Sequence, residues 1–367
     1  MDHASLRTGS IPASAADLTP QWLSAVLSAS TGDESLRVSH VDVEPVGVGV
    51  GIMSLLYRLT PTYSSGSGPQ SVIAKLAPPY PQVREIAAGY HFYEREVSVY
   101  QQLGSELAFR PPHVHLARHD ASTDDFVIVL EDFGGLRTAD QLDGCSITDA
   151  RNVVLELARL HARWWEDERF EQLPFLQSWA DPPFPEYHGQ AAKQTWPVTR
   201  ARFEHVIPER IAKLGEHWSE IGPALMQDMP NHPRTLCHGD VRLDNLFFHD
   251  DGGPPVSMVD WQIAGRSTGA GDLAYFMSQS LTIEDRRTHQ DELTKLYFDT
   301  LVDGGVRDYP FDEFWSDYRT TTLFCLCYPL QAGGVELVND RAVALATAML
   351  ERSIAAVIDL DADECAP

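Results

Sequence analysis

Apolar and polar positions change rhythm several times along this chain, and each change predicts an element. "LTPQWLSAVLSAS" reads as a short helix. Thr19 caps it, Pro20 takes its first position, and Trp22, Leu23, Val26 and Leu27 form one apolar face. The period then shortens. "LRVSHVDVEPVGVGVG", "IMSLLYRLT" and "SVIAKLA" are alternating or apolar, and β-branched residues predict three strands. A polar turn, "PTYSSGSGPQ", separates the second from the third. Hairpin-linked strands with a glycine cluster at the first bend predict an antiparallel sheet. "PQVREIAAGYHFYEREVSVYQQLGSEL" restores the helical period through Tyr93, Val97, Tyr100 and Leu103. "FVIVLEDFGG" is one more buried strand, and a boundary is placed near Phe133–Leu136. Beyond it the pattern is helical. "ITDARNVVLELARLHARWWED" is amphipathic with Thr148 as its candidate cap, and three or four further helices are predicted over 195–225 and 270–360. One stretch breaks the helical run as strand, loop and strand: "LCHGDVRLDNLFFHDDGGPPVSMVDWQIAG", from Leu236 to Gly265.

Composition narrows the classes. With 367 residues, 43% of them hydrophobic, the chain can fill a large core in two lobes. The expected division is an N-terminal helical extension at 1–37, an N-lobe at 38–134 and a helical C-lobe at 135–367. "MDHASLRTGSIPAS" has no apolar signal region, and no apolar run approaches the roughly 18 residues of a membrane span. The five cysteines, Cys145, Cys237, Cys325, Cys327 and Cys365, lack paired CxxC spacing and suit a reducing cytoplasm. There are 53 acidic and 28 basic residues, a net charge of -25. Such a surface repels nucleic acid and anionic membranes, so neither is an expected partner. Two readings of the surplus stay open. One is solubility, including solubility in a salty cytoplasm. The other is a cleft that attracts cations, either a metal with its nucleotide or an amine-bearing substrate.

The strand–loop–strand stretch carries the chemistry. A hairpin returning through "VSMVDW" brings Asp260 back towards the loop that holds His238, Asp240, Asp244 and Asn245. Carboxylates and an amide at strand ends make a hard-oxygen site suited to magnesium. "HGDVRLDN" also has the Asp-x4-Asn spacing of a kinase-type catalytic loop. There Asp240 accepts a hydroxyl proton, Asn245 holds magnesium, and Asp260 takes the place of the second metal-binding carboxylate. The plain alternative is that His238 and Asp240 only bond the backbone of a tight turn.

Such a site needs upstream partners, and the order is right. Gly47, Gly49 and Gly51 lie between two strands. Their spacing is not G-x-G-x-x-G and they precede a strand, which argues against a dinucleotide fold. Lys75 sits in the apolar strand "VIAKL", where an unpaired ammonium is costly. Glu96 on the following helix is a fitting partner, with Glu94 and Glu85 as rivals.

At these residues the chain resembles the aminoglycoside phosphotransferase and choline kinase superfamily of small-molecule kinases. "HGDVRLDN" and "VDWQ" look closest to the branch that includes the ecdysteroid-kinase-like proteins, and "LARLHARWW" and "GDLAYF" look like its helix motifs. The resemblance covers roughly residues 38–340. It implies an α+β, bilobal protein-kinase-like fold, with an antiparallel β-sheet N-lobe and a mostly helical C-lobe. It implies ATP, with GTP as the alternative, magnesium, and a small-molecule hydroxyl substrate. Asp240 would be the catalytic base, and Asn245 and Asp260 the magnesium holders. Lys75, held by Glu96, would contact the α- and β-phosphates, and Gly47–Gly51 would cover them. Leu130, Glu131 and Phe133 would lie in the hinge that meets adenine, and Asp272 would brace the catalytic loop. Arg242 departs from the common pattern. It either neutralises charge on the transferring phosphoryl group or pairs with Asp244 or a surface acid.

Rival readings are a metal-dependent hydrolase with His238, Asp240, His249 and Asp260 as ligands, and a silent nucleotide-binding pseudokinase. Eleven residues between Asp260 and Asp272 leave no room for a long activation loop, and there is no A-P-E segment, so a protein substrate is not expected. Neither G-x4-G-K-[ST] nor G-x-S-x-G is present. The stretches 178–189 and 311–318 are candidate pocket lining or ordinary surface. The acidic balance points to a cationic or polyhydroxylated substrate. Oligomeric state has no signature in the sequence.

Overall fold

The computed structural model describes residues 11–47, 53–337 and 339–367. They fall into two compact units. One holds residues up to 107 with 111–136, and the other holds 108–110 with 137–367.

The first unit opens with α1 (Pro20–Thr31). Thr19 Oγ1 accepts from the Trp22 amide at 3.2 Å, and left-handed Gly32 ends the helix. Five strands follow: β1 (Arg37–Val46), β2 (Leu55–Ser65), β3 (Val72–Leu76), β4 (Val114–Asp120) and β5 (Asp125–Glu131). They form one antiparallel sheet in the order β1-β2-β3-β5-β4. Leu23, Val26 and Leu27 of α1 share a core with Leu59, Val72, Ala74 and Val129. Burial of each leucine or valine among them stabilises the unit by about 1.5–3 kcal/mol. β4 escaped the hydrophobic pattern because "VHLARHD" has no fully buried position and so no alternation. The helical stretch after β3 is two helices, α2 (Pro81–Gly89) and α3 (Phe92–Gln102). His91, at φ 56°, breaks the run between them.

The second unit is mostly helical. α4 (Ile147–Arg163) is capped by Ser146, whose Oγ accepts from the Asp149 amide at 3.1 Å. Thr148 lies inside the first turn and is not the cap. Then come α5 (Phe184–Arg202), α6 (Glu209–Glu216) and α7 (Trp218–Asp228). Four short strands interrupt the helices: β6 (Thr235–Cys237), β7 (Leu246–Phe248), β8 (Val256–Met258) and β9 (Gly265–Ser267). β7 and β8 make the expected hairpin, whereas β6 pairs with β9. The chain continues as α8 (Ala270–Ser280), α9 (Ile283–Asp303), α10 (Phe311–Cys325), α11 (Cys327–Ala332) and α12 (Asp340–Asp359). α4 packs on α9, and α8 on α10. The stretch 311–318 is the start of α10, with Phe314, Asp317 and Tyr318 buried in that packing. An antiparallel sheet unit and a helical unit together make the expected α+β class. No described helix is long and apolar enough to cross a membrane.

Candidate active site

In the first unit, β3 lies between β2 and β5, with Lys75 opposite Leu56 and Ile128. The Lys75 side chain is 6% exposed and that of Glu96 1%, with Nζ and Oε2 2.7 Å apart. The helical period of α3 turns Glu96 inward with Tyr93, Val97 and Tyr100. The rivals Glu94 and Glu85 are exposed, and Glu94 faces His91 at 3.5 Å. Gly47 has φ +64°, a left-handed bend that favours glycine. Gly49 and Gly51 lie outside the described residues.

Leu130, buried, and Glu131, exposed, end β5, and Phe133 is buried just beyond. The Glu131 amide donates to His113 O at 2.8 Å, and the Gly134 amide to Asp132 Oδ1 at 2.8 Å. Those two amides are therefore engaged within the protein. Asp132, which the sequence reading passed over, organises this turn. It also accepts from Arg58 Nε at 2.6 Å and Ser71 Oγ at 2.7 Å. Burial works against its charge, yet the bonds from Arg58, Ser71 and Gly134 hold its carboxyl below the ordinary range.

In the second unit, β6 delivers His238 to a tight turn. Asp272, in the first turn of α8, takes the amide of His238 at 2.7 Å and that of Gly239 at 2.8 Å. His161 Nε2 lies 3.3 Å from the same carboxylate. Burial opposes the charge of Asp272, but His161 and the His238 amide keep its carboxyl below its usual value. Gly239 has φ +85°, and a Cβ there would lie 2.7 Å from Trp179, so the turn demands glycine.

His238 Nδ1 accepts from the Asp240 amide at 3.1 Å, leaving Nε2 to donate to Val259 O at 3.0 Å. The Val259 amide donates to Asn245 O at 3.0 Å. The residue before Asp260 is thus stitched to both ends of the loop. Asp260 itself is left-handed, at φ 69° and ψ 61°. A non-glycine residue there carries backbone strain of about 1–3 kcal/mol.

The Asp240 carboxylate is held on both sides. Oδ1 accepts from the Tyr275 phenol at 3.0 Å, and Oδ2 from Asn245 Nδ2 at 3.1 Å. Asn245 Nδ2 also donates to Asp240 O at 2.9 Å. Arg242 Nε stands 3.3 Å from Asp240 Oδ2, and Nη1 3.5 Å from Asp244 Oδ2. The Asp240 charge, against burial, holds the guanidinium well above its ordinary value, with Tyr275, Asp244 and Asp260 adding to it. Arg242 therefore both pairs with Asp244 and stands beside Asp240.

Tyr275 was missed by the sequence reading. Burial, and then the neighbouring Asp240, push its phenol well above the ordinary value, so it remains a donor. Its ring lies 4.4 Å from that of Tyr328, whose hydroxyl donates to Gly239 O at 3.1 Å. A signal existed in "GDLAYF". Tyr275 follows the loop-bracing Asp272 by one helical turn, which puts both on one face.

The residues fit a hard cation. The nitrogen of the Asn245 amide is turned to Asp240, so its oxygen faces away. That oxygen and the Asp260 carboxylate are donors of the kind magnesium takes. Among the described residues, the hydrolase set His238, Asp240, His249 and Asp260 does not form a metal-holding group. Both ring nitrogens of His238 are engaged, and His249 meets Ser257 Oγ at 2.7 Å and Arg110 Nη1 at 3.2 Å. Among the described residues, the only His, Cys, Asp or Glu group close enough for a metal is His161, Cys237 and Asp272. Its atoms already have partners, His161 Nδ1 with the Tyr297 hydroxyl at 2.7 Å and Cys237 Sγ with Ser267 O at 3.5 Å.

The model of the ecdysteroid kinase-like family matches residues 49–307. This chain belongs to that family. An uncharacterised kinase-like protein of Caenorhabditis elegans is 19% identical over 347 residues, which is 85% of this chain and 89% of that one. A segment of the chain is 33% identical over 124 residues to the mouse protein named acyl-CoA dehydrogenase family member 10. It spans 29% of this chain and only 11% of the mouse protein. Among solved structures, Plasmodium vivax ethanolamine kinase aligns with a TM-score of 0.51 at 9% identity. The alignment covers 88% of this chain and 81% of the other. That likeness shows the fold of this ecdysteroid kinase-like chain, a kinase-like fold.

Proposed function

We propose that this ecdysteroid kinase-like chain is a magnesium-dependent small-molecule kinase. It transfers the γ-phosphoryl group of ATP, or of GTP, to a hydroxyl of a small molecule. The observation that carries this reading is the Asp240 carboxylate held between Tyr275 and Asn245, on the loop that Val259 ties to Asp260. As the acceptor oxygen bonds to phosphorus and the bond to the nucleoside diphosphate breaks, Asp240 receives the hydroxyl proton. Most of the rate comes from positioning and charge neutralisation. Arg242 offsets negative charge developing beside Asp240. Asn245 and Asp260 would hold magnesium, which supplies Lewis-acid screening of the phosphates when bound.

In the N-lobe, 38–134, Lys75 steadied by Glu96 contacts phosphate oxygens, and the glycines Gly47, Gly49 and Gly51 would cover them. Leu130, Glu131 and Phe133 form the hinge segment for the base. The C-lobe, 135–367, supplies the catalytic loop. A net charge of -25 supports a cationic or polyhydroxylated acceptor. All five cysteines are free and four are buried, which suits the reducing cytoplasm.

The test is Asp240→Ala in a screen of hydroxyl-bearing metabolites and antibiotics that reads ADP release. Transfer should vanish while magnesium ATP still raises the melting temperature. Ordinary turnover in that variant removes Asp240 as the base. The same thermal shift with magnesium GTP decides the nucleotide. Tight zinc or manganese binding without nucleotide would favour the hydrolase reading instead.

A further inference from the structure

Asp272 holds the front of the candidate loop. Its back is held by residues that the mechanism above does not use. Gln141, 1% exposed, precedes α4. Its Oε1 accepts from the Leu243 amide at 2.8 Å, at the head of the turn Leu243–Asn245. Its Nε2 donates to Gln279 O at 2.7 Å, in the last turn of α8. Arg352 of α12, 7% exposed, stands behind it. Nη1 donates to Gln141 O at 2.7 Å and Gln279 O at 2.9 Å, and Nη2 to Leu142 O at 2.5 Å.

A guanidinium this buried ordinarily sits against a carboxylate. Arg352 meets carbonyls, and among the described residues no acid lies at ion-pair distance from it. One of those carbonyls belongs to the end of α8, where unpaired carbonyls and the helix dipole favour a cation. The arrangement joins the end of α8 to the 141–142 segment and fixes the Gln141 amide. Leu243 is fully buried, so its amide has no solvent to replace that acceptor. The Asn245 amide donates to Arg242 O at 2.9 Å within the same turn, so a shift at Leu243 passes to Asn245.

We propose that Gln141 and Arg352 are positioning residues that clamp the Leu243–Asn245 turn and aim the Asn245 amide oxygen at magnesium. The metal-directed part rests on the kinase reading above, whereas the clamp itself does not. Gln141 and Leu243 are 102 positions apart, and Gln141 and Arg352 are 211 apart. The device is therefore tertiary.

The experiment uses the full chain and two readouts. Hydrogen–deuterium exchange by mass spectrometry follows a peptide over 241–248 and another ending at Asp240. Magnesium dependence is read from binding of a fluorescent ADP analogue. Gln141→Leu, close in shape but without the acceptor, should speed exchange over 241–248 and leave the Asp272-held amides protected. It should raise the magnesium concentration for half-maximal nucleotide binding about tenfold, the low end for a residue behind a metal ligand. Gln141→Glu keeps an acceptor for Leu243 but loses the donor to Gln279 O, so it should restore both readouts in part. Where Gln141→Leu does not fold, Arg352→Lys carries the same prediction, since it keeps the charge and loses donors.

Unchanged exchange in these variants overturns the clamp. Faster exchange with unchanged magnesium dependence overturns the positioning role. A wild-type chain that binds no magnesium nucleotide removes the kinase reading and the metal-directed part with it, while the exchange readout still decides the clamp.

Discussion

The phenol of Tyr275 donates a hydrogen bond to Oδ1 of Asp240 across 3.0 Å. The bond reaches a charged acceptor from a buried donor, where such bonds contribute about 1.5–3 kcal/mol. Tyr275→Phe removes the hydroxyl and keeps the ring beside Tyr328. We expect kcat to fall at least about tenfold, with KM for the nucleotide unchanged. Because the phenol is held well above its ordinary value, the ratio of wild-type to variant kcat should stay flat through pH 9. Equal kcat in the two proteins would show that Asp240 needs no help from Tyr275.

The Lys75–Glu96 pair separates stability from function. Lys75→Met takes the ammonium away from the buried Glu96 carboxylate and should destabilise the fold by about 3–5 kcal/mol. Lys75→Met combined with Glu96→Leu removes both charges and should recover most of that loss in urea denaturation. Nucleotide affinity should remain low in the double variant. Recovery of affinity along with stability would mean that Lys75 meets no phosphate.

Asp272 accepts the amides of His238 and Gly239, both buried. Asp272→Ala leaves those donors without an acceptor, at about 1–3 kcal/mol each. Asp272→Asn keeps one oxygen and should cost less. A denaturant midpoint that orders the proteins wild type, Asn, Ala is the expected result. An alanine variant as stable as wild type would show that the turn has another support.

A pH effect on stability should arise away from the loop. His232 Nδ1 lies 2.7 Å from Asp317 Oδ1, and Nε2 3.1 Å from Asp228 Oδ2. The bond to Asp317, with burial opposing and Asp228 assisting, raises the imidazole to about 9. A histidine that holds its proton more tightly when folded stabilises fully below its unfolded value, roughly 6.5. That stability is lost as pH rises from there to about 9. The melting temperature of wild type should therefore fall towards that of His232→Gln over this window. Parallel curves for the two proteins would show that the histidine does not titrate there.

How much could be read in advance depended on how local each signal was. The spacing in "HGDVRLDN" encodes a short loop, and it set Asn245 against Asp240. Lys75 was conspicuous as one charge in an apolar strand, and an inward Glu96 answers it. β4 was silent because its residues are half-buried on both faces. The break at His91 was hidden because Ile86, Tyr90, Tyr93 and Val97 keep helical spacing straight across it. Tyr275 lay one helical turn from a residue already singled out, so its place was recoverable. Gln141 and Arg352 were not recoverable. Their partners are mostly backbone groups far along the chain, and a backbone carbonyl looks the same at every residue.

The bonds of Arg352 also have an order in time. A ribosome releases Asp240 and Asn245 well before it makes the arginine, which lies 211 positions beyond Gln141. A nascent chain can thus contain every polar group of the loop while the back of that loop is still unsupported. Folding of α12 is then the event that completes the loop's support, and a chain stopped short of it would keep the motif without the clamp.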